Sequence, residues 1–485
     1  MIQTLMPNTN WSMVLPIAMV AVAGIFALIL EMLFPKRDNN LIVWASQIGL
    51  LMAAAMLIRQ FGLETETSFA GTIIRDQFGL AMQLVCVIGA SATIAFSEGY
   101  LREKKIPFGE FYPLMLWSTV GAMMMCCTEN LLVMFVGLEI LSIALYVLAG
   151  ISRVEEKGEE SALKYFLLGA FASGFLLYGI ANVYGATGGL GIEGIGLAWA
   201  SKDPNVQALL AFGLALLLIG LGFKASFFPF HQWTPDVYQG APTNVTAFMA
   251  TVGKTAAFAF LFRLLESATA MQAIWAPALG LIAVLTMLYG NIVALMQKDV
   301  KRVLGYSSIS HAGYILVALI AHGKNPGRIG PETVIYYVLS YTLMTIGSFA
   351  VISLLAHDGK ESTGLDDLRG LWQRSRVAAA CMVVFMVSLM GLPPTSGFFG
   401  KLLIFQDALN ADLLPLAVVL AVSSIVSAAY YLNIARLVAL TDCPTEEISF
   451  ARFRPAIQNT CVLCAVAVIA AMVFYSPLTQ FLSSR

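Results

Sequence analysis

Charge is scarce in this 485-residue sequence: Asp, Glu, Lys and Arg make up only 12% of it, against about 25% in a soluble domain. A chain so poor in charge, 59% hydrophobic and with a mean hydropathy of +0.80, does not have the surface of a soluble globule. The 7 cysteines build no disulfide framework. Cys86, Cys126, Cys127, Cys381, Cys461 and Cys464 fall in apolar runs, and Cys443 is the one expected in a loop. Cys461 and Cys464 have metal-like spacing, but no second pair and no nearby histidine completes a site, so they read as an apolar helix face. Gly189, Gly191 and Gly194 match a dinucleotide fingerprint literally, yet they follow a helical run rather than a strand and read as a connector. Residues 1–12 carry no basic leader, so no cleavable signal is expected. No metal, no cofactor of its own and no nucleic-acid partner is expected for this chain.

What is there instead is long apolar runs. About fourteen windows are long enough to cross a hydrocarbon core of about 30 Å: 11–34, 40–60, 77–98, 111–127, 129–151, 160–184, 205–230, 241–265, 271–296, 300–322, 331–356, 377–408, 412–440 and 457–482. The expected fold is an all-α polytopic membrane protein, a single domain over 1–485 with the lipid bilayer as its first partner. Basic residues favour one set of connections, including Arg102, Lys104, Lys105, Lys298, Lys301, Arg302 and Arg374. Fewer fall on the other side, among them Arg59, Arg75, Lys202, Arg263, Lys324 and Arg328. The positive-inside rule then places both termini outside, in the periplasm of a bacterial inner membrane.

Two spans are too long and too punctuated to be plain rods. Residues 205–240 would run to about 54 Å as one helix, and Pro229, Pro235 and Pro242 interrupt the region. Residues 377–411 are broken by Pro393 and Pro394. Proline removes a helix hydrogen bond, and backbone freed at membrane depth is tolerated only inside protein or beside a wet cavity. Paired breaks point to an ion site between inverted repeats. The span order gives helices 1–3 over 1–110, one five-helix repeat (helices 4–8) over 111–267 and a second (helices 9–13) over 268–440. A last helix follows over 441–485, and the broken helix is fourth in each repeat.

Charges inside such spans carry the functional reading. Lys224, Lys254 and Lys401 are each embedded in apolar sequence, as is Glu139 in ENLLVMFVGLEILSIALYVLAGI. Each such charge costs about 2.5–3.5 kcal/mol at a bilayer centre, so the four together cost roughly 10–14 kcal/mol. Ionisable groups kept at that expense mark proton or ion paths. Burial disfavours a charged lysine and a nearby carboxylate favours it, so Glu139 beside Lys224 makes a group able to take and release a proton, with Lys254 and Lys401 next in line. The plainer alternatives are a static counter-ion for Glu139, a carbonyl cap for Lys224 and an interfacial position for Lys401. Lys164, one turn from Glu160, is either a relay member or a snorkelling surface pair. His231 and Asp236 either complete the inner half-channel or stabilise a loop. His311, within Tyr306, Ser307, Ser308 and Ser310, holds a water chain or packs small residues between helices.

Two segments, GLGFKASFFPFHQWTPDVYQGAPT around Lys224 and KRVLGYSSISHAGY around His311, bear a resemblance to the antiporter-like membrane subunits of proton-pumping NADH:quinone oxidoreductase (respiratory complex I), and most to their N-type members. The resemblance covers essentially the whole chain. It implies that Glu139 matches the helix-5 glutamate, Lys224 the helix-7 lysine of the input half-channel and Lys254 the central helix-8 lysine. Lys401 matches a helix-12 position that is lysine in N-type and glutamate in M-type subunits. It further implies a translocase that carries NADH, FMN, iron–sulfur clusters and quinone in other subunits. The implied neighbours are subunit M and small subunits such as A, J and K. The alternatives are an Mrp-type cation/proton antiporter, a hydrogenase- or ferredoxin-linked relative, and a scaffold without transport.

Overall fold

The computed structural model describes residues 9–34, 39–152, 156–357, 360–442 and 455–473. Both chain ends and Cys443 lie outside these residues. Twelve helices are long and apolar enough to cross a membrane. Phe111–Cys126 and Arg376–Met390 are shorter apolar helices, and the predicted window 377–408 holds both Arg376–Met390 and a further helix, Ser396–Asn410. Two small antiparallel hairpins, Glu66–Ser68 with Ile73–Arg75 and Ala356–His357 with Lys360–Glu361, sit in the connections; the helix-only reading did not contain them.

Helix starts are set by side-chain caps that satisfy the free amides of the first turn. Asn130 accepts from Leu132 and Val133, Asp76 from Gly79, Asp299 from Arg302, and Asp203 from Asn205 with Pro204 in the first turn. Small residues let the helices close up, as in other membrane bundles. A Cβ on Gly121 would lie 2.4 Å from the Gly137 carbonyl, and one on Gly179 would lie 2.9 Å from that of Gly213.

Burial separates centre from rim. The apolar windows of Thr243–Ser267 and Val300–Lys324 are 100% buried and that of Glu332–Leu355 94%, against 33% for Leu15–Leu33. These three helices are therefore the axis of the molecule, and Lys254 and His311 lie on the first two of them.

Both long spans break where proline is placed. Pro204–Ala225 stops at Ser226, which is left-handed at φ 68°, and a short helix, Trp233–Gly240, follows the Pro229 loop. Arg376–Met390 stops at Gly391, φ 84°, and the chain restarts at Ser396 after Pro393 and Pro394. A third irregularity has no proline in it. Met249–Gly253 forms a π-helical turn immediately before Lys254, a local widening that is frequent at functional sites.

Candidate functional site

The first buried lysine lies between Leu131–Ala149, Glu156–Thr187 and Pro204–Ala225. Lys224 is buried near the end of the last of these, and its Nζ donates to Ser142 Oγ at 2.9 Å and to the Tyr165 hydroxyl at 3.0 Å. Ser173 donates to Glu139. A small cavity lined by Ser142, Ser173, Gly169 and Lys224 separates the two ends. Glu139 and Lys224 thus form no direct ion pair among the described residues; two serines and a cavity stand between them. Ser142, about one turn from Glu139 on the same helix, and Ser173, which donates to Glu139, both line this cavity.

Lys224 also approaches the central helix. A Cβ on Gly253 would lie 3.9 Å from Lys224 Cε, and the next residue is Lys254. Lys254 is 2% exposed, and its Nζ donates to Ser308 Oγ at 2.6 Å and to the Ser308 carbonyl at 2.9 Å. Tyr341 donates to the same Ser308 hydroxyl at 2.7 Å. One turn further, His311 is held at both ring nitrogens, by the Tyr337 hydroxyl at 2.8 Å and the Tyr431 hydroxyl at 3.0 Å. Tyr431 in turn meets Ser307. Within the Ser307–Ser308–His311 run, Ser308 meets the lysine, while Ser307 and His311 meet the tyrosines.

Lys401 closes the series. Its Nζ donates to the carbonyls of Leu389 and Met390, both at 3.0 Å, and lies 4.9 Å from the centre of the Tyr314 ring. Tyr314 continues to Ser423 at 3.0 Å, and Asn291 donates to Tyr314 at 3.2 Å. The carbonyl cap, considered for Lys224, is the arrangement found at Lys401, while Lys224 faces hydroxyls. Lys401 is buried within the protein.

Lys164 and Asp236, far apart in sequence, meet. Lys164 Nζ contacts Asp236 at 2.8 Å and Glu160 at 2.7 Å, and Arg302 takes the other oxygen of Asp236 at 2.6 Å. Lys164 is 42% and Asp236 40% exposed, so this group lies at the surface of the protein rather than in its interior. His231 is buried against Phe228 and Tyr289, with ring centres at 5.4 and 4.6 Å. It makes no hydrogen bond to the lysines among the described residues.

Sequence reasoning missed Ser142, Tyr165 and Ser173, because a hydroxyl in an apolar run does not announce which face it occupies. Tyr337 and Tyr341, one turn apart in YYVLSYTL, carried a usable signal. The spacing puts both hydroxyls on one face, and that face meets His311 and Ser308.

A family model described as the NADH:quinone oxidoreductase/Mrp antiporter transmembrane region matches residues 128–427, which hold both broken helices and every lysine of the series. Subunit N of NADH-quinone oxidoreductase from Salinibacter ruber is 42% identical over 91% of this chain and 89% of its own length. That of Trichlorobacter lovleyi is 40% identical over 89% and 88%. The chain belongs to the subunit N family of NADH-quinone oxidoreductase. A chain of the respiratory complex I structure from Thermus thermophilus superposes on this N-family member with a TM-score of 0.82 at 37% identity, covering 96% of this chain and 98% of that one. A chain of the Mrp complex from Dietzia has a TM-score of 0.81 at 22% identity, a likeness of fold.

Proposed function

We propose that this N-family chain is a proton-translocating membrane-arm subunit of NADH:quinone oxidoreductase, and that protons cross it through Glu139, Lys224, Lys254 and Lys401. The observation that carries the reading is Lys254, buried and hydrogen-bonded only to Ser308 among the described residues. No carboxylate contacts its Nζ there. A structural lysine held in that position would leave its desolvation cost uncompensated, several kcal/mol by the usual reckoning. A lysine that must accept and surrender a proton uses that condition, because a tight ion pair would hold the charge in place.

In this reading a proton enters from the side of the basic loops, past the Lys164–Asp236–Arg302 group, and is taken by Lys224. Glu139, acting across the serine-lined cavity, sets how readily Lys224 holds it. The close approach of Lys224 to Gly253 passes the proton to Lys254, and Ser308, His311 and their tyrosines carry it toward Lys401. The two proline-broken helices are the fourth members of inverted five-helix repeats over 111–267 and 268–440, with the lysine series running along the join. The relay holds no redox centre. NADH, FMN, iron–sulfur clusters and quinone belong to other subunits, with subunit M and small subunits such as A, J and K as neighbours. The location is a bacterial inner membrane, with both termini outside. An Mrp-type antiporter shares the fold, but the likeness at 22% identity favours no ion-gradient-driven activity over this one.

The test is redox-driven proton pumping in inverted membrane vesicles carrying Lys254→Ala, with NADH oxidation followed in parallel. Loss of both in an assembled complex supports a coupled channel. Unchanged pumping and oxidation would remove Lys254 from the path and return the chain to a scaffold.

A further inference from the structure

The helix Val300–Lys324 carries a second histidine in its last turn, His322, at the end away from Lys301 and Arg302. His322 is 4% exposed, and its Nδ1 lies 2.6 Å from the carbonyl of Ile329. A carbonyl can only accept, so Nδ1 carries the hydrogen and the neutral ring must present a bare lone pair at Nε2. That Nε2 is buried with no hydrogen-bond partner among the described residues. It faces Glu266, whose Oε1 is 4.0 Å away. Phe262 stacks on the imidazole at 4.1 Å between ring centres, which fixes the direction of the lone pair.

Glu266 is 52% exposed, so the buried base opens through one carboxylate to the outer surface. Arg263, on the same helix end, does not close that opening. Its guanidinium is taken by Asp76 at 2.7 and 2.9 Å, by the Cys126 carbonyl at 3.2 Å and by Glu129 at 3.4 Å. His311 and His322 lie about three turns apart, on nearly the same face of one helix. Ile315, Ala318 and Leu319, all buried, fill that face between them. This apolar stretch separates His311 from His322.

We propose that His322 and Glu266 form the outward proton-release site of the relay. A proton leaving Lys401, whose Nζ lies 4.9 Å from the Tyr314 ring on this same helix, crosses the face between His311 and His322 on transient water, binds His322 Nε2 and makes an imidazolium. The imidazolium gives that proton to the Glu266 carboxylate, directly or across one water, and Glu266 delivers it to the outer solvent, restoring the neutral ring. The assignment rests on the proton-translocation reading above, and its test separates the two.

The test measures NADH-driven membrane potential in inverted vesicles carrying the whole complex, with assembly checked on native gels, for His322→Ala, Glu266→Gln and Lys254→Ala. Imidazole and pyrazole, similar in size but not in basicity, are then added to the His322→Ala vesicles. Potential is the right readout because a permeant weak base dissipates a pH gradient without dissipating potential. The expected result is that His322→Ala falls to the level of Lys254→Ala, that imidazole restores it and pyrazole does not, and that Glu266→Gln is reduced. Wild-type potential in His322→Ala, or equal rescue by both compounds, overturns the assignment in favour of packing. Should His322→Ala not assemble, wild-type potential in Glu266→Gln, a half-exposed side chain that tolerates the change, overturns it. Wild-type potential in Lys254→Ala would instead remove the translocation reading on which it rests.

Discussion

Lys401 reaches back across the proline break to donate a 3.0 Å hydrogen bond to the carbonyl of Met390. The second limb of the broken helix thereby caps the severed end of the first, and Leu389 shares the same ammonium. Gly391 makes this possible. Its φ of +84° turns the chain out of the helix, and a Cβ there would lie 2.9 Å from Lys401 Cδ. The lysine that ends the series is at once a cap and a titratable group, and the two duties separate experimentally.

Lys401→Gln keeps a donor for one carbonyl and removes the charge, whereas Lys401→Met removes both. Leaving buried carbonyls unmet costs about 1–3 kcal/mol, so Lys401→Met should lower the thermal stability of the detergent-solubilised complex and Lys401→Gln should lower it less. Pumping should be lost in both. Wild-type pumping in Lys401→Gln would show that the ammonium is a cap only.

Ser308 is the shared point of contact for Lys254 and Tyr341. Ser308→Ala leaves the Ser308 carbonyl in place but strips the lysine of its hydroxyl partner, a hydrogen bond to a charged group worth about 1.5–3 kcal/mol. Pumping should slow by about tenfold or more, while Tyr341→Phe, which touches Lys254 only through Ser308, should have a smaller effect. Proton uptake per NADH oxidised, measured for both variants, checks the order. Equal and negligible effects would mean that Ser308 is not on the path.

Much of this was readable in advance, for physical reasons. Apolar windows and buried charges are local properties, so the spans, Lys254 and the proline breaks could be placed from sequence. What depended on long-range pairing could not. Glu139 and Lys224 were expected as a pair, and the structure inserts Ser142 and Ser173 between them, because the distance across two helices is not written in either helix. The direction of Lys401 follows from Gly391 and the restart at Ser396, not from the count of residues after Pro394. The π turn before Lys254 has no proline to mark it. His322 sits in the sequence HGKNPGR, which reads as an ordinary helix end, and only the fold sets it against Glu266.

Lys164 illustrates how exposure settles a question the sequence left open. It bridges Glu160 and Asp236, but all three side chains are at least 40% exposed. Such pairs contribute about 0.2–1 kcal/mol. Lys164→Met should therefore leave complex stability within about 1 kcal/mol of wild type. Its effect should fall on pumping, through the neighbouring Asp236–Arg302 contact at the mouth of the path, and should grow at low ionic strength, where surface charges are less screened. A thermal melt and pumping rates at two salt concentrations decide it. A large loss of stability would assign the residue a structural duty.

Arg263 is the opposite case. It is 3% exposed and pairs with Asp76 through both terminal nitrogens, while its Cζ lies 5.4 Å from the centre of the Phe78 ring. With Glu129 and the Cys126 carbonyl as further contacts, it ties the C-terminal end of the Lys254 helix to two other segments. Removing one partner of a buried pair costs about 3–5 kcal/mol, and the partial exposure of Asp76, 21%, puts Arg263→Met toward the lower end. Arg263→Lys keeps the charge but cannot reproduce the two-pronged contact, so its cost should fall between Arg263→Met and wild type. Thermal unfolding of the purified complex gives the ranking. If Arg263→Lys instead matched wild type in stability and Arg263→Met lost only pumping, the positive charge at this position would belong to the path of the proton, and the C-terminal end of this helix would need no rigid anchor.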